Sequence, residues 1–147
     1  MKASEINKLD ETETPHIKVY IAGPWARKDE AEKAAVVFER AGYIVARPWW
    51  FFEEDGTDAM KEELAIADVV GVINADCVVV LNLEKSEGKA VETGITIALG
   101  KPLIVVGERS NIFHWLPGVI LVDSVEKALE VADGIDYTPI PEEAVVG

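Results

Sequence analysis

Asp68 is the one ionisable residue in the run LAIADVVGVI (64–73). At helical spacing it lies one turn after Leu64 and one turn before Val72, so a helix here places a carboxylate on an apolar stripe. Partial desolvation raises the pKa of such a group and suits it to hold or donate a proton. The competing reading is an aspartate that pairs with a basic residue or caps a break in the helix. A second carboxylate, Glu92, sits in Ser86-Glu87-Gly88-Lys89-Ala90-Val91-Glu92-Thr93-Gly94. It shares a helical stripe with Ile95, Thr96 and Leu99, which turns it toward a sheet, and a nearby helix N-terminus favours its ionised form. Gly94 costs roughly 1 kcal/mol against Ala inside a helix, and the close approach of another group is one cause for it. The plainer alternative is a solvated first-turn glutamate beside a packing glycine. A proton-holding carboxylate and an ionised one, on elements flanking the same strand, make a pair fit for acid–base and nucleophilic work.

Other polar and aromatic residues cluster where β-branched runs end. The first run closes in Tyr20-Ile21-Ala22-Gly23-Pro24-Trp25, whose Gly-Pro pair makes a tight turn. Such a turn either lets a ligand approach the backbone at Gly23 and Trp25 or simply joins strand to helix. Neither G-x-G-x-x-G nor G-x-x-x-x-G-K-[ST] occurs, so a dinucleotide or P-loop fingerprint is excluded. Trp49-Trp50-Phe51-Phe52 offers a surface on which a planar ring can stack, although four consecutive aromatics cannot all face one way. Ser110-Asn111-Ile112-Phe113-His114-Trp115 combines aromatics suited to a subunit interface with Asn111, an amide able to bind hydroxyls. His114 has no G-x-S-x-G partner, which argues against a serine-hydrolase triad.

The elements that must position these groups follow from the apolar pattern. Short runs at 17–23, 43–47, 77–83, 102–107 and 119–122 are near-continuously apolar, as strands buried on both faces are. Helical spacing marks 28–41, 58–75, 88–100 and 125–132, with Gly42 placed as a stop for the first and Ser124 as a cap for the last. Five strands alternating with four helices predict a doubly wound, flavodoxin-like or Rossmann-like parallel α/β sheet. Ligands then bind outside the carboxyl ends of the strands. Residues 1–16 read as a flexible N-terminal arm, 17–132 as one domain, and 133–147, with Pro139 and Pro141, as a tail.

Composition limits the partners. The 147 residues are 49% apolar, enough for a real core, and carry a net charge of −13. That charge disfavours nucleic-acid polymers and anionic membranes. One cysteine excludes an internal disulfide framework, and two distant histidines suggest no metal site. With no apolar leader and no run long enough to span a bilayer, a cytoplasmic protein is expected.

Over roughly residues 17–130 the chain resembles the nucleoside 2-deoxyribosyltransferase family, which also contains 2'-deoxynucleoside 5'-phosphate N-hydrolases. The resemblance rests on Tyr20-Ile21-Ala22-Gly23, Asp68 eight residues before Asp76, Ser86-x-Gly88-x-x-x-Glu92-x-Gly94, and Ala98-Leu99-Gly100-Lys101-Pro102. It implies that Glu92 attacks C1' of the sugar, that Asp68 handles the proton of the departing and incoming base, and that Tyr20 orients Glu92. Gly23, Trp25, Trp49, Ser86 and Gly88 would contact substrate, and Asn111 of a neighbouring subunit would bind sugar hydroxyls. The division of labour is that of a retaining glycosidase, with a second base in place of water. The resemblance implies no metal and no organic cofactor, nucleosides and nucleobases as small-molecule partners in base salvage, and a homo-oligomer built from dimers, up to a hexamer. Ser86 departs from the acidic residue of many transferases toward the phosphate-contacting serine of the hydrolases, whereas Asn111 is similar to the transferases. The alternatives are a nucleotide N-glycosidase and a non-catalytic nucleoside-binding module.

Overall fold

The computed structural model describes residues 16–52 and 56–137. Its frame is five parallel strands, β1 (Lys18–Ala22), β2 (Ile44–Val45), β3 (Cys77–Asn82), β4 (Leu103–Gly107) and β5 (Val119–Val122), in the order β2-β1-β3-β4-β5. Four helices accompany them: α1 (Lys28–Arg40), α2 (Asp58–Asn74), α3 (Glu87–Ala98) and α4 (Val125–Asp133). α1 packs against α4, and α2 against α3. The connection through α1 moves to one side of β1 while those through α2 and α3 move to the other. Right-handed crossovers therefore set the two helix pairs on opposite faces of the sheet. Covered on both faces, β3 needs Val78, Val79 and Val80 in a row, and all three are fully buried. Cys77, the first residue of β3, is equally inaccessible.

The helix starts are fixed by hydroxyl caps. Thr57, Ser86 and Ser124 accept from the amides of Met60, Lys89 and Lys127, which satisfies donors that the first helical turn leaves open. Gly42 ends α1 with φ +95°, the left-handed turn expected there. The doubly wound sheet is as predicted, with one strand shortened. β2 keeps two residues of the expected 43–47, because Arg47 leaves extended geometry at φ +47° and Pro48 has no amide to continue a ladder.

The expected arm lies outside the described residues apart from His16, and so does the tail beyond Tyr137. Of the segment read as the tail's beginning, Asp133 closes α4, and Ile135 and Tyr137 pack against the core. Tyr43 donates to Asp133 Oδ1 at 2.6 Å and Tyr137 to the Ala132 carbonyl at 2.9 Å. Among the described residues no helix is long and apolar enough to cross a membrane.

The strand order reverses direction between β1 and β3. There the connections leave the sheet to opposite sides and open a crevice at the carboxyl ends, where doubly wound proteins hold ligands.

Candidate active site

A cleft of about 230 Å³ occupies that crevice. Gly23 and Trp25 contribute from the turn after β1, and Arg47, Trp49 and Phe52 from the segment after β2. Leu64 and Asp68 come from α2, and Ser86, Gly88, Lys89 and Glu92 from the start of α3. Its size is at the small end of small-molecule sites, which commonly run from ~300 Å³ upward.

Trp49 is fixed by its indole N–H, which donates to the Ile21 carbonyl at 2.6 Å and ties the segment after β2 to β1. Its ring meets Trp25 at 6.1 Å between centroids. The four aromatics divide as four consecutive residues must: Trp49 and Phe52 line the cleft, Trp50 is buried, and Phe51 is exposed. A Cβ at Gly23 would stand in ordinary contact with Leu81 and Trp49. Gly88 has only the Ser86 hydroxyl nearby, and that hydroxyl is engaged as the α3 cap.

Glu92 and Tyr20 meet. The Tyr20 ring is fully buried on β1 and its hydroxyl donates to Glu92 Oε2. Burial pushes the Glu92 carboxyl up to about 8, so in the free protein it holds a proton at neutral pH. The expectation of an ionised Glu92 is therefore corrected. It is the sixth residue of α3, past the first turn to which the helix dipole's help is confined, and desolvation outweighs what remains. The expected stripe also shifts. α3 buries Lys89, Thr93 and Thr96, while Leu99 is exposed. The threonine hydroxyls are satisfied by donating to the carbonyls four residues back, Lys89 and Glu92. A Cβ at Gly94 would meet nothing within 4 Å, so no close approach within the described chain explains that glycine.

Asp68 takes the alternative open to it. Its side chain is 38% exposed and pairs with Arg47, Nε to Oδ1 at 3.1 Å. The strongly desolvated carboxylate of the pair is Glu92 and not Asp68.

Asn111 is not brought to the cleft. It caps the single turn Ile112–Trp115, its Oδ1 accepting from the Phe113 amide at 3.0 Å. His114 is buried and accepts from the Ser110 amide at 3.0 Å, a structural role. Sequence reasoning missed Arg47 and Leu64 as cleft residues, while Phe52 belongs to the run read as a stacking surface. Lys89 is 6% exposed, and its ammonium donates to Asn82 Oδ1 at 2.6 Å and to the Glu84 carbonyl. Burial lowers its pKa.

The family model for nucleoside 2-deoxyribosyltransferases matches residues 19–131, most of the chain and every element of the cleft. The chain belongs to the nucleoside 2-deoxyribosyltransferase family. Two solved structures share the fold. A 2-deoxyribosyltransferase from Bacillus psychrosaccharolyticus is 20% identical, with a TM-score of 0.64 over 81% of this chain and 92% of that one. A CMP N-glycosidase from Clostridium botulinum is 19% identical, with a TM-score of 0.51 over 79% and 98%. A comparison with curated proteins finds no match. The family acts on N-glycosidic bonds, with nucleosides and nucleobases as its small-molecule substrates.

Proposed function

We propose that this protein is a nucleoside 2-deoxyribosyltransferase working through a covalent deoxyribosyl-Glu92 intermediate. The observation that carries the reading is the convergence of Glu92, gripped by Tyr20, and Asp68 on one cleft at the β1/β3 crevice. In the first half-reaction a Glu92 carboxylate oxygen bonds to C1' as the C1'–N bond breaks, and the bonding pair leaves with the base, which gains a proton. A second base then reverses the step. Glu92 must shed its proton before it attacks and the departing base must gain one, so the proton held by the free site matches the demand. Asp68 is the group to relay it, and Tyr20 donates to the carboxylate and aims it. Trp25, Trp49 and Phe52 supply flat apolar surface for the base. We assign no cofactor to this chemistry.

A second reading, a 2'-deoxynucleoside 5'-monophosphate N-glycosidase, draws support from Ser86, Gly88 and Lys89, which line the same cleft at the start of α3. A chromatographic time course separates the two. Deoxynucleosides mixed with a different free base should yield a new deoxynucleoside; base released only from the matching 5'-monophosphates would replace the transferase by the hydrolase. Binding without turnover in either arm would leave a nucleoside-binding module.

We further propose a cytoplasmic homo-oligomer serving base salvage, in which Asn111 reaches the cleft of a neighbouring subunit. Ile112, Phe113 and Trp115 are exposed beside Asn111. The outer faces of α2 and α3 add Ile66, Val70, Ile73, Val91 and Leu99 as apolar surface in need of cover.

A further inference from the structure

Among the described residues, Arg47 is the one non-glycine with positive φ, at +47°. Local sequence opposes this twice, since a side chain disfavours the left-handed region and the following Pro48 restricts the residue before it to extended geometry. Contacts from elsewhere in the fold must hold it there, and strain kept in place by its surroundings gathers at functional sites. Two such contacts come from α2, and a third from Phe52, five residues on in the chain. Arg47 Nε donates to Asp68 Oδ1 at 3.1 Å. The guanidinium lies over the Phe52 ring, 4.0 Å from its centroid. The stem is wedged against Gly71, where a Cβ would come within 2.6 Å of the Arg47 Cβ and 3.1 Å of the Tyr20 ring. Asp68 and Gly71 are one turn apart on α2, so the same helical face grips the head of Arg47 and makes room for its stem. An extended residue 47 would instead prolong β2 and carry its side chain away from this face.

We propose that Arg47 is the positioning residue of Asp68: it aims the carboxylate into the cleft for the proton step on the nucleobase, and Gly71 is the clearance that lets it do so. The inference rests on the reading of Asp68 as the proton-handling group. It does not depend on whether a second base or water completes the reaction.

The test is a double-mutant cycle of wild type, Arg47→Met, Asp68→Asn and the double variant, on two substrates. 2'-Deoxyadenosine needs a proton on its departing base. 7-Methyl-2'-deoxyguanosine carries a cationic base that departs neutral without one. Arg47→Met should lower kcat on 2'-deoxyadenosine by about 10–100-fold, the cost of a misplaced catalytic group, with KM within about threefold. It should cost little on the methylated substrate and nothing further in the Asp68→Asn background. Arg47→Lys, which keeps the charge without the planar fork, should recover part of the loss. Equal losses on both substrates, multiplying losses in the double variant, or a change confined to KM would overturn the assignment. The same four proteins are compared by melting temperature. Coupled shifts support the pairing, and additive shifts overturn it, whether or not a nucleoside is consumed. A wild type inert on both substrates while the melting shifts stay coupled would remove the proposed reaction and leave the pairing standing.

Discussion

Glu92 differs from an ordinary glutamate in what surrounds it: it is shielded from water and touched by one phenol. Its folded pKa is raised above the unfolded value, so burying it neutral favours the fold fully below the ordinary carboxylate range. That contribution is lost as pH rises toward and past about 8. The melting temperature of wild type should therefore fall between pH 5 and 9 more than that of Glu92→Gln, which has nothing to ionise there; parallel curves would refute the burial argument. The pre-steady-state release of base should fall as pH rises past about 8 and the site loses the proton that the departing base takes up, and Glu92→Gln should lose at least ~10³-fold in kcat. At this scale the sequence was partly legible. Asp68 and Glu92 stood out because an ionisable group in apolar company is conspicuous. Their environments did not, because the exposure of Asp68 and the burial of Glu92 depend on Arg47 and Tyr20, which lie 21 and 72 residues away in the chain.

At the scale of elements, α2 matters as much as the strands. From Leu64 to Ile73 it is apolar nearly all round, yet only Gly71 and Val72 are buried in it. Gly71 faces the supports of both carboxylates, the Tyr20 ring and the Arg47 stem. Gly71→Ala should overpack this contact and destabilise the fold by about 1–3 kcal/mol in urea unfolding. It should also lower kcat beyond what the loss of folded protein explains; an alanine variant with wild-type kinetics would show that the clearance is not needed for the site. Most elements could be read directly. β1, β3 and β4 are buried on both faces and spell themselves as apolar runs, and hydroxyl caps mark three of the helix starts. β2 was overextended, because an edge strand has one neighbour and the left-handed turn that ends it at Arg47 is held by tertiary contacts rather than by local preference. The buried face of α3 was misjudged for a related reason. Lys89, Thr93 and Thr96 are polar residues whose partners make burial tolerable.

For the whole molecule, a charge of −13 repels other copies everywhere except across an uncharged face. The outer surfaces of α2 and α3 provide one, next to the cleft. Light scattering should find an oligomer that weakens in low salt, where repulsion is least screened, and that dissociates in Ile66→Glu or Ile73→Glu. A wild-type monomer at working concentration would remove both the interface and the role given to Asn111 of a neighbour. The proposed assembly was legible in sequence as the aromatics at 112–115 and as what the family resemblance implies. The larger surface on α2 is hidden there, because an apolar helix reads the same whether a sheet or a second subunit covers it.

The lone thiol of the chain turns the sheet's centre into a clock. Cys77 begins β3 fully buried, and desolvation raises its thiol to about 11. A reagent such as an aromatic disulfide therefore finds neither access nor thiolate while β1 and β3 stay paired. Its rate of modification should follow the opening of the central strands, uncomplicated by any other sulfhydryl. A nucleoside held at the carboxyl ends of those strands, far along β3 from the thiol, should slow that modification in proportion to its occupancy. Labelling whose rate ignores a saturating nucleoside would place the ligand off the crevice or the thiol outside the cooperative unit.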